Sequence, residues 1–294
     1  MNPYLNPQRI RAALRALHLR PTRGMGQNFL LDGDILNTIV AEASLTASDT
    51  VLEVGPGLGV LTWELLLRAG KVICVELDRR LADRLAAEFR DRPRFHLVQG
   101  DILKFAPADL LSRAGAVPPY KLVANIPYAI TAPLLRHFLE ATVPPDRSVL
   151  LVQWEVAQRI CAGPGDYSVL AHAVQLYAEP TIIARVPASS FFPEPAVDSA
   201  ILRLDRRVQL AVAEADVNDL FRLIKAGFLH ARKQLGNALA GGLAAFGVHV
   251  PRERVLQALQ TAGIDPQRRA ETVTLAEWAT LLACLPEVRS KSER

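Results

Sequence analysis

The 294-residue sequence predicts an α/β fold, a parallel sheet with crossover helices followed by a small all-helical C-terminal domain, on three observations. Polar residues stand at 53, 76, 101 and 125, each at or just past the end of an apolar strand-like run, at intervals of 23 to 25 residues. That interval is one strand–helix unit, so the four side chains share the carboxyl edge of a parallel sheet, where ligands bind in such folds. Next to the first of them, Gly55-Pro56-Gly57-Leu58-Gly59 makes a glycine turn from strand to helix. Past Leu204 the strand pattern stops and only helical periodicity continues. The expected division is 1–205 for the sheet domain and 206–294 for the helical one.

In order, residues 7–19 read as a basic amphipathic helix, with Ile10, Leu14 and Leu17 on one face and arginines on the other. The loop Gly24-Met25-Gly26-Gln27-Asn28-Phe29-Leu30 joins glycines that allow close backbone approach to two amide side chains, and it reads equally well as a linker. A helix is expected over 34–44. Val51–Val54 is a buried strand carrying Glu53, followed by a helix over 59–69 that Gly70 stops. The strand at 72–75 ends in Glu76 and precedes a helix over 79–90. Phe95–Val98 leads to Gly100-Asp101, and Lys121–Ala124 ends in Asn125. Beyond it come a helix from Thr131 to about 140, a fifth strand over 148–152, a helix from 153, and another over 168–177. Strand-like runs near 181–186 and 199–204 flank Phe191-Phe192-Pro193-Glu194-Pro195-Ala196-Val197-Asp198-Ser199. The C-terminal helices are expected over 217–230, over 233–240 with Gly241-Gly242 as the stop, from Pro251 to Gly263, and after a Thr274–Glu277 capping box.

Half the residues are hydrophobic and 22% are charged, which suits a sizeable core and excludes wholesale disorder. The net charge of +4 is compatible with a polyanionic partner without requiring one. Cys74, Cys161 and Cys284 lie far apart with no metal-ligand spacing, and read as free thiols in a reducing compartment. No apolar run is long enough to span a bilayer. The arginine-rich first helix resembles an organelle presequence only superficially, because it leads straight into the glycine loop; a cytoplasmic protein is expected. Arg232-Lys233 and Arg268-Arg269 are basic pairs that can touch phosphates, although such pairs are more often solvated surface.

The glycine turn raises two cofactor classes. A dinucleotide fingerprint has a sixth-position glycine and an acidic residue about 20 positions on for a ribose. Counted from Gly55 the sixth position is Val60, and a dinucleotide has no need of the Asp101 and Asn125 pair. A ligand without a pyrophosphate needs the turn only for close backbone approach, and S-adenosyl-L-methionine meets that requirement. On this reading Gly55 and Gly57 admit its methionine and ribose, Glu76 takes the ribose hydroxyls, and Asp101 accepts from the adenine amine. Either carboxylate alone would read as a solvated turn residue; the two in register do not.

Asn125-Ile126-Pro127-Tyr128 suits alkylation of a nucleobase amine. The amine's lone pair is delocalised into the ring, and acceptors aimed at its N–H groups favour the more tetrahedral, nucleophilic nitrogen. The Asn125 side-chain oxygen and the Ile126 carbonyl are the expected acceptors, Pro127 fixes the turn, and Tyr128 stacks on the extruded base. Phe191 is placed to stack opposite Tyr128, whereas Phe192 reads as a core plug. Alone, the tetrapeptide is also an ordinary strand-to-helix turn; the upstream residues favour the chemical reading.

Gly26-Gln27-Asn28-Phe29-Leu30, Glu53 through Gly59, Glu76, Gly100-Asp101, Asn125 through Tyr128 and Phe191 through Ser199, in this order, closely resemble the ribosomal RNA adenine N6-dimethyltransferases of the small-subunit, KsgA (RsmA) type, over about residues 20–285. The resemblance implies a Rossmann-like class I S-adenosylmethionine methyltransferase sheet of seven strands with a helical C-terminal domain. Its implied substrate is two adjacent adenines near the 3′ end of 16S rRNA in a pre-30S particle, each dimethylated. The expected cofactor contacts are Gln27, Asn28, Leu30, Gly55, Gly57, Glu76, Asp101 and Asn125. The expected catalytic set is Asn125, Ile126, Pro127, Tyr128 and Phe191, with no metal, in a monomer. The sequence departs from the family at Ala196, Trp154 and Ala231, where basic residues are usual. Alternatives are an Erm-type enzyme acting on 23S rRNA, a DNA adenine methyltransferase, or an assembly or transcription factor that keeps the fold without the activity. Tyr128 and the Ala129–Pro133 continuation resemble the small-subunit type.

Overall fold

The computed structural model describes residues 2–19 and 28–289. Its strands are β1 (Phe29–Leu30), β2 (Thr50–Val54), β3 (Lys71–Glu76), β4 (Phe95–Gln99), β5 (Lys121–Asn125), β6 (Arg147–Gln153), β7 (Ala178–Val186), β8 (Phe191–Phe192) and β9 (Ser199–Arg206). Seven of them, the expected number, form one sheet in the order β4-β3-β2-β5-β6-β9-β7, and β1 pairs with β8 in a separate ribbon. Strands β2 to β6 are parallel, whereas β9 runs antiparallel to both its neighbours. The chain winds outward from β2 through β3 to β4, then restarts at β5 on the other side. That reversal opens a crevice at the carboxyl ends of β2 and β5, the ligand position of open parallel sheets.

The central strands are near-continuous apolar runs because helices cover both sheet faces. Val51, Leu52, Ile73, Cys74 and Val149 through Val152 are fully buried. Helix starts follow their capping side chains: Asn6 before Pro7–Ala16, Asp32 before Gly33–Glu42, and Asp78 before Arg79–Glu88 each accept a backbone N–H from the first turn. The helix Pro107–Arg113 was not anticipated from the sequence; Pro107 at its first position starts it. No helix among the described residues is long and apolar enough to cross a membrane.

The chain divides into two compact units. One holds the residues up to Gln158 together with Ala178–Arg206; the other holds Arg159–Tyr177 and the chain from Arg207 on. The sequence-based division placed 159–177 with the sheet. In the structure these residues pack with the C-terminal helices: Leu176 is buried in the helical core, and the Gly165 and Tyr167 N–H groups both donate to the Glu271 carbonyl. The helices from Val217 on are Val217–Leu229, Leu235–Ala245, Arg252–Thr261 and Leu275–Cys284. The second runs straight through Gly241-Gly242, against the expected stop. A Cβ on Gly242 would lie 2.1 Å from the Ala226 carbonyl oxygen, so this glycine lets two helices touch backbone to backbone. The capping box forms as expected, Thr274 and Glu277 exchanging their bonds. Arg268 is a structural residue, not a free phosphate contact, since its guanidinium binds both Glu277 oxygens, at 2.5 and 3.1 Å.

Candidate active site

At the crevice lies a cavity of about 500 Å³, walled by the glycine turn, the ends of β3 and β5, and the residues after β4. Gly55, Gly57 and Gly59 all have positive φ, at 65°, 60° and 84°. At Gly57 a side chain would also crowd the Phe29 ring, since its Cβ would come within 3.1 Å. The turn is tied to the next strand twice. Gly55 N donates to the Val75 carbonyl at 2.9 Å, and Gly57 N donates to Glu76 Oε2 at 3.0 Å.

Glu76 is only 5% exposed, and its other oxygen accepts from Asp78 N at 2.9 Å. Burial raises its pKa against the opposing pull of these two N–H bonds. The carboxylate is thereby held in a fixed orientation at the cavity wall. Asp101 caps the short turn Ile102–Lys104 through one oxygen, accepting from Leu103 N at 3.1 Å, which leaves the other for a ligand. Glu76 and Asp101 both line the cavity, as do Asn28, Leu30, Gly55, Gly57 and Asn125. A glycine-walled cradle, two oriented carboxylates and the apolar Leu77, Ile102 and Leu103 fit a ligand that joins a polar chain, a sugar and a flat base.

Asn125 ends β5, and its side-chain NH₂ donates to the Asn28 carbonyl at 2.8 Å. That bond turns the amide so that its oxygen is the free acceptor. Among the described residues no internal hydrogen bond engages the Asn125 side-chain oxygen or the Ile126 carbonyl. Ile126 itself is anchored, with a buried side chain and its N–H on the Leu151 carbonyl. Pro127 lines the cavity. Tyr128 is half-buried, its hydroxyl 2.7 Å from Ser199 Oγ, and burial raises its pKa. The partner of Asn125 arrives through the β1–β8 ribbon, in which Leu30 faces Phe191 and Phe29 faces Phe192. Two motifs some 160 residues apart thus hold each other beside the tetrapeptide.

The two aromatic residues both pack on the core, Phe191 fully buried in it and Phe192 partly exposed against it as the plug expected. Phe191, expected to stack a base, is 3% exposed and sits in the core beside Leu30. Phe192 packs against the same core while staying partly exposed, with the Arg11 guanidinium over its ring at 5.0 Å. Both β1 residues are buried, Leu30 opposite Phe191 and Phe29 opposite Phe192, so both faces of the ribbon meet the core. Gln27 lies outside the described residues. Three contributors have no assigned role in the sequence reading, which places Glu53 only at the sheet edge. Glu53 is buried against the cavity and held by Thr62 Oγ1 at 2.7 Å and Cys74 Sγ at 3.3 Å. Leu77 lines the cavity although 67% exposed; an apolar residue directly after the strand-end Glu76 is the available sequence signal. In sequence Ser199 is only the end of the Phe191–Ser199 stretch, and nothing there pairs it with Tyr128.

Residues 20–286 match the family described as ribosomal RNA adenine dimethylase. The ribosomal RNA small subunit methyltransferase A of Dehalococcoides mccartyi is 47% identical over 266 residues, covering 90% of this chain and 88% of that protein. Among solved structures, a dimethyladenosine transferase from Plasmodium falciparum superposes with a TM-score of 0.74 at 26% identity, over 88% of this chain and 98% of that one. The 23S rRNA methyltransferase ErmE gives 0.68 at 30% identity, over 88% and 100%. With a sheet, a glycine cradle and an oriented asparagine of this kind, and a match over nearly its whole length, the chain belongs to the ribosomal RNA adenine dimethylase family.

Proposed function

We propose that this chain dimethylates N6 of two adjacent adenosines near the 3′ end of 16S rRNA in the assembling small subunit, using S-adenosyl-L-methionine. The observation that carries the chemistry is the pair of free acceptors, Asn125 Oδ1 and the Ile126 carbonyl, fixed beside the cavity. The choice of small-subunit RNA is supported by identity, 47% to an enzyme named for that subunit against 30% to the 23S enzyme. We read the protein as a cytoplasmic monomer, because small subunits assemble in that compartment and one chain holds all the residues assigned here.

S-adenosyl-L-methionine supplies an electrophilic methyl group when bound. Glu76 would take its ribose hydroxyls and Asp101 its adenine amine, with Gly55, Gly57, Asn28 and Leu30 shaping the cradle. Asn125 and Ile126 accept the two N–H bonds of the target amine, which draws the nitrogen out of conjugation and aims its lone pair. Tyr128, steadied by Ser199, holds the base. The displaced proton leaves to water. Catalysis on this reading is positioning and electrostatics.

Transfer of labelled methyl groups to unmethylated 30S subunits, naked 16S rRNA and 50S subunits tests the reading. N6,N6-dimethyladenosine on 30S subunits is the expected result. Label on 50S subunits instead would replace it with the 23S reading, and bound cofactor with no label anywhere would favour an assembly factor. Asn125→Ala is expected to lower methylation at least 100-fold, the scale of losing one oriented transition-state contact, with an unchanged melting profile. Parental activity in that variant would overturn the mechanism.

A further inference from the structure

The carboxyl edge carries a second aromatic feature beside the acceptor set. Strand β6 ends at Gln153, opposite Ser199, the residue that holds the Tyr128 hydroxyl. The next residue, Trp154, donates its backbone N–H to the Asp198 carbonyl at 3.0 Å. The Asp198 carboxylate in turn accepts from Ala188 N at 3.0 Å and from Arg185 Nε at 2.8 Å. So anchored, the Arg185 guanidinium lies over the Trp154 ring, 5.0 Å from its centroid. The Arg185 side chain is 57% exposed, and Trp154 is only half-buried.

A large ring and an accessible guanidinium, one strand position from the residue that steadies Tyr128, combine the two groups that hold single-stranded RNA: a stacking surface and a phosphate contact. We propose that Trp154 and Arg185 seat the nucleotide adjoining the target adenosine, its base on the indole and its phosphate on the guanidinium. This rests on the RNA-methylating reading above.

Two measurements test it. Fluorescence anisotropy with a labelled single-stranded oligoadenylate reads binding alone. Initial rates on unmethylated 30S subunits at saturating S-adenosyl-L-methionine read KM and kcat. Trp154→Ala is expected to weaken oligonucleotide binding and raise KM about tenfold, within the range of one lost base stack, with kcat and cofactor affinity unchanged. Trp154→Phe is expected to recover most of the loss. Arg185→Gln is expected to lower the salt dependence of binding by the equivalent of about one phosphate contact. If the pair is only a clip on the strand end, all three variants keep parental RNA affinity and KM, and the proposal fails. Should Trp154→Ala fail to fold, parental binding and salt dependence in Trp154→Phe and Arg185→Gln overturn it equally. A parent that binds the oligonucleotide through Trp154 but labels no 30S subunits would sink the proposed function and leave this site standing.

Discussion

Glu53 shows how much a single residue's role depends on its surroundings. In sequence it is a polar residue closing a strand; in the structure it is 2% exposed, under the cofactor cavity, accepting from Thr62 and Cys74. Burial pushes its pKa up to about 7, against the two hydrogen bonds that favour the anion. A carboxyl raised from its ordinary value of 4.5 keeps its proton in the folded protein where the unfolded chain has lost it. Stability therefore falls as pH rises from about 4.5 to about 7 and stays lower above, by roughly 3 kcal/mol at most. Glu53→Gln removes the titration and is expected to flatten the decline. Thermal melts of both proteins between pH 5 and 8 check this, and parallel curves would show that Glu53 ionises without cost. At this scale the sequence placed Glu76, Asp101 and Asn125 at the cavity through their strand-end spacing. It could not show that the Asn28 backbone, rather than its side chain, orients Asn125, because that bond depends on two segments meeting in space.

Among the elements, the helix Leu235–Ala245 and the β1–β8 ribbon mark where local rules stopped being informative. A glycine pair after an apolar helical run reads as a stop, since glycine is the usual residue just past a helix end. Here the same glycines continue the helix, and only one of them has a packing reason. A Cβ at Gly242 would strike the Ala226 backbone, whereas at Gly241 nothing lies within 4 Å. Gly242→Ala is accordingly expected to destabilise by about 3 kcal/mol or more through overpacking of rigid backbone. Gly241→Ala is expected to be neutral or to stabilise by about 0.5–1 kcal/mol through helix propensity. Thermal denaturation of the two variants measures the difference, and equal melting temperatures would remove the close-approach explanation. The parallel strands were legible because each is an apolar run with a punctuated end. The ribbon is not, since two residues show no periodicity and its pairing across some 160 residues is a tertiary fact that buries Phe191.

Across the whole molecule, nothing in the sequence signals that the chain leaves the sheet and returns to it. The change from strands to helices near 205 is visible in composition, but 159–177 is just another helical stretch in an α/β pattern. Its assignment becomes physical only through its contacts. His172 is fully buried with its ring 4.7 Å from Tyr167 and 5.8 Å from Phe228, and its pKa is lowered to about 4 by burial. Leu176 joins the same core as Leu220, Leu223 and Trp278, and Arg207 N–H closes the segment onto the Tyr177 carbonyl. A truncation at Arg206 would leave this apolar surface without the helices that cover it, even though it ends cleanly at a strand. Such a fragment is expected to bind a hydrophobic dye strongly and to aggregate at concentrations where the full chain remains dispersed, since exposed contiguous apolar patches drive association. Dye fluorescence and size-exclusion profiles of the fragment and the full chain decide the matter. A monodisperse fragment with low dye binding would mean that 159–177 rests stably without the C-terminal helices, and the sequence-based boundary at 205 would then be the better division.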